Sequence, residues 1–577
     1  MKSRLLVALL FILSFGAAAC ESAASAPIRP GLSPCQERNL PEGALCGTHE
    51  VFENRAARTG RKIPLRIVVL PATGRDRLSD PLTFFAGGPG DASIPEGIAM
   101  AWELESLRGK RDVLLVDFRG TGQSGALSCP ELEGDVQGFL DDFLPTDKIR
   151  ACRDRLSKEV DLSWYTTDAA VDDVEEVRTA LGYGPLNLMG GSYGTRAVLT
   201  YLRRHPQSVR TATLSGVLDP EARYPLGMSR ASQEALDGLI AECEGDPACR
   251  NAFPKLRQEV DAVLSRAASE PARVEWNDPR TGPVELRLTR TGVVQTLRYM
   301  LYSPAEAALV PLDVHRAAQG DWKPLGLLAH LQGLDRGGMA QGFYQSVTCA
   351  EDVAFLREEE IAPAVAGTFV GDFRVRRQKA ACEGWPVRDL GPDLHAPVVS
   401  DVPALLISGE RDPATPAANG ERASRTLKRS RHVIVPDGSH NLTGMQGAEC
   451  VPGLIAAFID AGTADGLDTS CISRMRRPDF ELPEVTVARA DLEGLQGSYE
   501  QKELGLAVKI DLRDDRLRLT VLQGPPFPPA LLIPTSPTRF RWEGVGVAPG
   551  LALVFEKPGT LTVVQPGKPR VEMQRSK

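Results

Sequence analysis

A serine bracketed by glycines, Gly190-x-Ser192-x-Gly194, sits inside LNLMGGSYGTR (186–196), after a short apolar run and before a helix-like one. A serine hydroxyl is a weak nucleophile until a base takes its proton and an acid orients that base. Small flanking residues permit a strand-to-helix turn sharp enough to lift the hydroxyl above a sheet, beside free backbone N–H groups. An idle glycine turn is spelled the same way, so the reading depends on partners elsewhere.

In a strand–turn–helix setting of this kind the chain order is serine, acid, histidine. Six of the seven histidines follow Ser192, the first of them, His205, at the end of the helix-like run 193–205. His315 and His330 fall in a helical stretch, His395 precedes the resumed strand pattern, and His432 opens the strand-like RHVIVP. His440 lies just beyond that strand in the loop DGSHN, where an imidazole can reach a neighbour, and is the expected base. Asp412 ends LLISGERD, past a buried strand, and is the expected orienting acid. Two alternatives stand beside it: Asp412-Pro413 also spells a turn, and Asp437 competes from within the short loop of His440. The glycine-rich FFAGGPGDAS (84–93) follows a strand-like run and lets backbone approach a substrate. The expected oxyanion donors are the N–H groups of Gly88 and Tyr193.

These residues need elements to hold them. Apolar runs bounded by Gly, Pro or Asp predict strands at 63–70, 81–85, 112–117, 186–190 and 209–216. Between them, 168–182 repeats Val171, Val174, Val177 and Leu181 at helical spacing with acids on the other face, and 193–205 predicts a second helix. Strands alternating with helices argue for an α/β fold with a mainly parallel sheet. Residues 220–395 read as a mostly helical cap inserted between core segments 41–219 and 396–480, where the strand pattern resumes at 402–412 and 431–441. From 485 to 577 alternation and turn residues predict a small antiparallel β domain.

The chain has 577 residues, 42% hydrophobic and 25% charged, with a net charge of −8. It holds enough apolar sequence for several domains, and the absence of a Lys/Arg run argues against a nucleic-acid partner. Lys2 and Arg4, the apolar 5–15 and Ala17-Ala18-Ala19 form a secretory signal over 1–19, so the mature protein is expected to be exported, periplasmic or extracellular. Cleavage there leaves Cys20 first, as in bacterial lipoproteins, although Ala17 stands where those signals usually carry leucine; a lipid on Cys20 is the one membrane attachment the sequence offers. Residues 20–40 read as a tether or leader. The other ten cysteines fall as near neighbours: Cys35 and Cys46, Cys129 and Cys152, Cys243 and Cys249, Cys349 and Cys382, Cys450 and Cys471. An even number in an exported chain suggests disulfides, with local pairing the simplest connectivity. Neither Cys-x-x-Cys nor His-Glu-x-x-His occurs, and no metal or organic cofactor is expected.

In order along the chain, AGGPG (86–90), DFRGTGQSG (117–125), GGSYGTR (190–196), GERDPATP (409–416) and DGSHN (437–441) resemble the α/β-hydrolase family of serine aminopeptidases that holds the prolyl and tripeptidyl aminopeptidases. CAEDV (349–353), with Cys382 and Trp385 after it, is similar to the secreted tripeptidyl-aminopeptidase branch. The resemblance spans residues 40–475 and implies an α/β-hydrolase fold with Ser192, Asp412 and His440 as catalytic triad. Two positions depart from it: Ala86 where prolyl aminopeptidases usually have histidine, and GSHN in place of Gly-His-Gly. The tail from 493 resembles small β domains appended to other exported serine hydrolases.

A peptide substrate with a free N-terminus is the expected partner. Its α-ammonium calls for a carboxylate near the cleft, for which Glu351, then Asp352, are the candidates beside Cys349; a structural ion pair is the competing account. An esterase or other small-molecule hydrolase on the same scaffold is the alternative function, because fold does not fix substrate. A binding protein that has kept the fold would retain these residues without using them.

Overall fold

The computed structural model describes residues 31–37, 40–278, 282–335, 338–524, 529–542, 551–565, 568 and 570–576. The expected signal segment and Cys20 lie outside the described residues.

Nine strands form one sheet in the order β1-β2-β3-β5-β4-β6-β7-β10-β11. They are β1 (Leu32–Pro34), β2 (Leu45–Phe52), β3 (Lys62–Leu70), β4 (Leu82–Phe85), β5 (Val113–Val116), β6 (Leu186–Gly191), β7 (Val209–Ser215), β10 (Ala404–Gly409) and β11 (Ser430–Val435). Pairing is parallel from β5 through β4, β6, β7 and β10 to β11, and antiparallel among β1, β2, β3 and β5. The edge strand β1 and its neighbour β2 lie outside the strands the sequence pattern predicts.

Strand β5, VLLV, is buried throughout, as a central strand covered on both faces must be. Its side chains alternate: Val113 and Leu115 join a core with Leu104, Leu454 and Phe458, whereas Leu114 and Val116 join one with Val174, Ala197 and Tyr201. Helices α1 (Ser93–Glu103) and α7 (Cys450–Ala461) thus cover one face, and α2 (Thr167–Ala180) and α3 (Tyr193–Arg204) the other. On α2, Val171, Val174 and Val177 are buried at the expected spacing. Its acidic face is not all solvent-facing, since Asp173 is buried and grips the equally buried Arg119 through Nε at 2.7 Å and Nη2 at 2.8 Å. Pairing that charge is what makes its burial tolerable.

Between β7 and β10 the chain runs mostly through helices, including α4 (Arg290–Met300), α5 (Gln341–Glu351) and α6 (Phe373–Cys382). It also contains a hairpin, β8 (Ala272–Asp278) with β9 (Gly282–Leu288), that the helical reading omits. Val274, Leu286 and Leu288 are its buried positions. All five near-neighbour cysteine pairs are disulfides, with Cα–Cα separations from 5.0 to 5.8 Å.

The C-terminal β region closes into an eight-stranded antiparallel barrel, β12 (Gly497–Gln501), β13 (Leu506–Arg513), β14 (Arg516–Gln523), β15 (Ala530–Pro534), β16 (Arg539–Trp542), β17 (Ala552–Lys557), β18 (Thr560–Val564) and β19 (Val571–Arg575). Closure comes from β12, which pairs with both β13 and β19 and so leaves no free edge. Tyr499, Ile510, Leu532, Phe540, Leu561 and Met573 fill the interior.

Candidate active site

Ser192 joins β6 to α3 with φ 54° and ψ −121°, a left-handed backbone that a non-glycine residue holds only under strain. Its N–H donates to the Ser215 carbonyl at 2.9 Å, which fixes the turn against β7. The flanking glycines are steric requirements. A Cβ on Gly190 would overlap the Gly194 carbonyl, and one on Gly194 would overlap the Phe85 carbonyl. The helix can start only because its first turn packs backbone to backbone against β4.

Asp412 follows β10 and His440 follows β11, so adjacent parallel strands deliver both to one sheet edge. The His440 Nδ1 lies 2.8 Å from Asp412 Oδ2 and 3.0 Å from Oδ1. Asp412 is buried and held from behind: Oδ1 accepts from the N–H groups of Ala414 and Thr415, each at 2.8 Å, and Oδ2 accepts from the Thr415 hydroxyl at 2.7 Å. Thr415 Oγ1 is also 3.1 Å from His440 Nδ1. The Tyr302 ring stands edge-on to the imidazole, centroids 4.9 Å apart. The competing groups are engaged elsewhere. Asp437 pairs with Arg411 at 2.8 Å, and His315, His395 and His432 bond to Glu259, the Pro220 carbonyl and Ser408. His330 packs edge-on against Trp276.

Ser192 and His440 line one cavity of about 1860 Å³, together with Gly87, Gly88 and Tyr193. No hydrogen bond joins the Ser192 hydroxyl to His440 in this structure; such contacts often tighten only around substrate. The Gly87 Cα faces Ser192, since a Cβ there would touch the Ser192 Cβ at 3.4 Å. This glycine turn is braced by buried Asp117, which accepts from Ile94 N and Gln123 N at 3.0 Å each, and by Ser93, whose hydroxyl accepts from Ala86 N at 3.2 Å. Residues 80–250, which hold Ser192, match the family model described as alpha/beta hydrolase fold, and residues 367–471, which hold Asp412 and His440, match the model described as TAP-like protein. The chain has the α/β-hydrolase fold.

The hydrolase is 25% identical to serine protease Hip1 of Mycobacterium tuberculosis over 483 residues, covering 76% of this chain and 90% of that protein. Against the tripeptidyl aminopeptidase of Streptomyces lividans it is 24% identical over 471 residues, covering 75% of this chain and 84% of that one. Against carboxylesterase B of M. tuberculosis it is 25% identical over 526 residues, covering 79% and 94%.

The acids expected to meet a substrate amine are placed differently from that expectation. Glu351 ends α5 and is not part of the cavity lining; its carboxylate accepts from Thr167 N at 2.6 Å and Thr167 Oγ1 at 2.7 Å. Thr167 Oγ1 in turn meets the Tyr193 hydroxyl at 2.7 Å, so Glu351 braces the start of α3 from beneath. Burial pushes its carboxyl up to about 7. Asp352 does line the cavity, yet both its oxygens receive Arg196 Nη1 at 2.8 Å, and one also accepts from Tyr224 N at 3.2 Å. The cavity of the hydrolase has another acidic wall, Asp91 and Glu96, that no motif advertised. Glu96 is an exposed residue on the cavity wall, where partial desolvation and the charge of Asp91 raise its carboxyl to about 7. Thr415, Tyr302 and two arginines, Arg298 and Arg374, also belong to this site and went unread; GERDPATP contains Thr415, but only its contact with Asp412 assigns it a part.

Proposed function

We propose that this hydrolase is an exported serine aminopeptidase that releases N-terminal residues or short peptides through Ser192, His440 and Asp412. The observation that carries the reading is the Asp412–His440 pair opening on the same cavity as a serine held on a strained turn. Ser192 attacks the scissile carbonyl while His440 takes its proton and passes it to the leaving amine. Asp412 holds the imidazole with Nδ1–H towards it, leaving Nε2 as the base. The N–H groups of Gly88 and Tyr193, the latter at the start of α3, receive the oxyanion. Water then clears the acyl-enzyme through the same base.

The free amine is met by Asp91 and Glu96 rather than by Glu351. An ammonium beside Glu96 relieves the repulsion and desolvation that hold this carboxyl protonated. Two relatives, a serine protease and a tripeptidyl aminopeptidase, support peptide substrates, and five disulfides with a signal-like N-terminus support export. Among the described residues no helix is long and apolar enough to cross a membrane. The relative named carboxylesterase B keeps an esterase as the second reading.

The deciding experiment compares matched peptides with free and N-acetylated ends, with Ser192→Ala as the control. Equal cleavage of both ends rejects the aminopeptidase reading, and hydrolysis surviving in Ser192→Ala rejects the nucleophile.

A further inference from the structure

The cavity is also lined by Arg298 from α4 and Arg374 from α6, each only 2% exposed. Neither forms an ion pair with a carboxylate among the described residues. Arg298 donates from Nη1 to the Tyr302 hydroxyl at 2.7 Å and stacks on Tyr299 and Tyr302. Arg374 donates from Nη2 to the hydroxyls of Tyr224 and Tyr344 and lies 3.5 Å from the centre of the Phe143 ring. The Arg298 Nε and the Arg374 Nε and Nη1 have no hydrogen-bond partner at all. The nearby acid cannot supply one, because Asp352 is committed to Arg196 and Tyr224 N.

Buried guanidinium groups are normally paired, since leaving their donors empty forfeits the solvation they had in water. Aromatic faces attract the charge but offer no lone pair in the plane of the N–H groups. Two buried cations that line one cavity without a carboxylate partner favour a planar anion there, and a carboxylate fits in charge and shape. The place matters as well. Tyr302, which accepts from Arg298, is the ring that stands against His440, and Asn441 N donates to the Tyr302 carbonyl at 2.9 Å. One tyrosine therefore separates the arginine from the expected base.

We propose that Arg298 and Arg374 form an anion subsite of the active-site cavity that selects substrates bearing a carboxylate near the scissile bond, either an acidic side chain or the C-terminus of a short peptide. This rests on the hydrolase reading of Ser192 and deepens it. Acids and arginines lining one cavity suit a short zwitterionic peptide.

The test uses the full-length mature protein and matched peptides of two to five residues. One arm exchanges Glu for Gln at each position, and the other exchanges a C-terminal carboxylate for a carboxamide. Labelling of Ser192 by a fluorophosphonate, which carries no carboxylate, is followed in parallel. The wild type is expected to favour a carboxylate-bearing member in kcat/KM by about ten- to a hundredfold, the range for a charged hydrogen bond. The arm in which this occurs identifies the source. Arg374→Gln and Arg298→Gln are expected to abolish the preference, and Arg374→Lys to restore part of it. Full labelling of the wild type without preference in either arm overturns the subsite, whatever the variants do. Failure of the wild type to label overturns instead the reading of Ser192 on which the subsite rests.

Discussion

Thr415 donates its hydroxyl to Asp412 Oδ2 at 2.7 Å, the same oxygen that faces His440 Nδ1 at 2.8 Å. Four consecutive residues, Asp412 to Thr415, thus close a small loop in which the acid is held by both a backbone N–H and a side chain of the same threonine. Thr415→Val removes the hydroxyl and leaves a buried carboxylate oxygen short of a donor. We expect kcat/KM to fall about ten- to a hundredfold, with Thr415→Ser retaining most activity. Asp412→Asn, which offers His440 the wrong hydrogen-bond partner, is expected to cost about four orders of magnitude in kcat. Steady-state kinetics across pH separate the two, because only the second should change the tautomer of the base.

Gly194 is fixed by the Phe85 carbonyl that its Cα faces. Gly194→Ala must push α3 away from β4, so its cost is expected at the top of the range of about 1–3 kcal/mol for an overpacked core position. Phosphonate labelling of Ser192 should drop with it, because the same shift moves the hydroxyl. A variant with wild-type urea midpoint and labelling rate would show that the turn does not need this glycine.

Desolvation and the charge of Asp91 push the Glu96 carboxyl up to about 7. If it receives the α-ammonium, KM for free-amine peptides falls as pH rises from about 6 to 7.5, where the carboxylate forms while the amine stays charged. Glu96→Gln should flatten that dependence, and N-acetylated peptides should not show it. A profile unchanged by Glu96→Gln removes Glu96 from substrate recognition.

Glu351 gives a stability prediction with the sign set by its raised value. Its carboxyl ordinarily titrates at 4.5 and in the fold at about 7, so between these values the folded chain keeps a proton that the unfolded chain has lost. Its contribution therefore falls as pH rises through that window, by up to roughly 3 kcal/mol. Glu351→Gln keeps an acceptor for Thr167 and loses the titration. Urea midpoints at pH 5 and pH 8 should differ less in this variant, and at pH 8 it should be at least as stable as the wild type.

Local geometry was legible from the sequence wherever the cause was local. Gly190 and Gly194 announce a turn because backbone packs on backbone there, and Asp412 and His440 each end a buried strand, so parallel neighbours bring them together. What the letters could not carry was contact across distance. Glu351 lies beside a disulfide cysteine, which suggests a fixed group near the cleft. Its partner, Thr167, is 184 residues away, and that pairing takes the carboxylate out of the cavity. Arg298 and Arg374 read as two charges on helical faces, and only the fold shows them facing tyrosines in place of acids. Hairpin β8–β9 and the closure of the barrel were hidden for a related reason, since pairing partners, not propensity, define them.

The barrel reaches the same cavity: Arg539, Gln565, Lys568 and Arg570 are among its lining residues, with Asp479 and Glu481 of the segment leading into the barrel. None of these belongs to the Ser192 turn, the Asp412–His440 pair or the glycine loop. The appended domain therefore forms part of the wall of the cavity while supplying none of the groups gathered around Ser192 and His440.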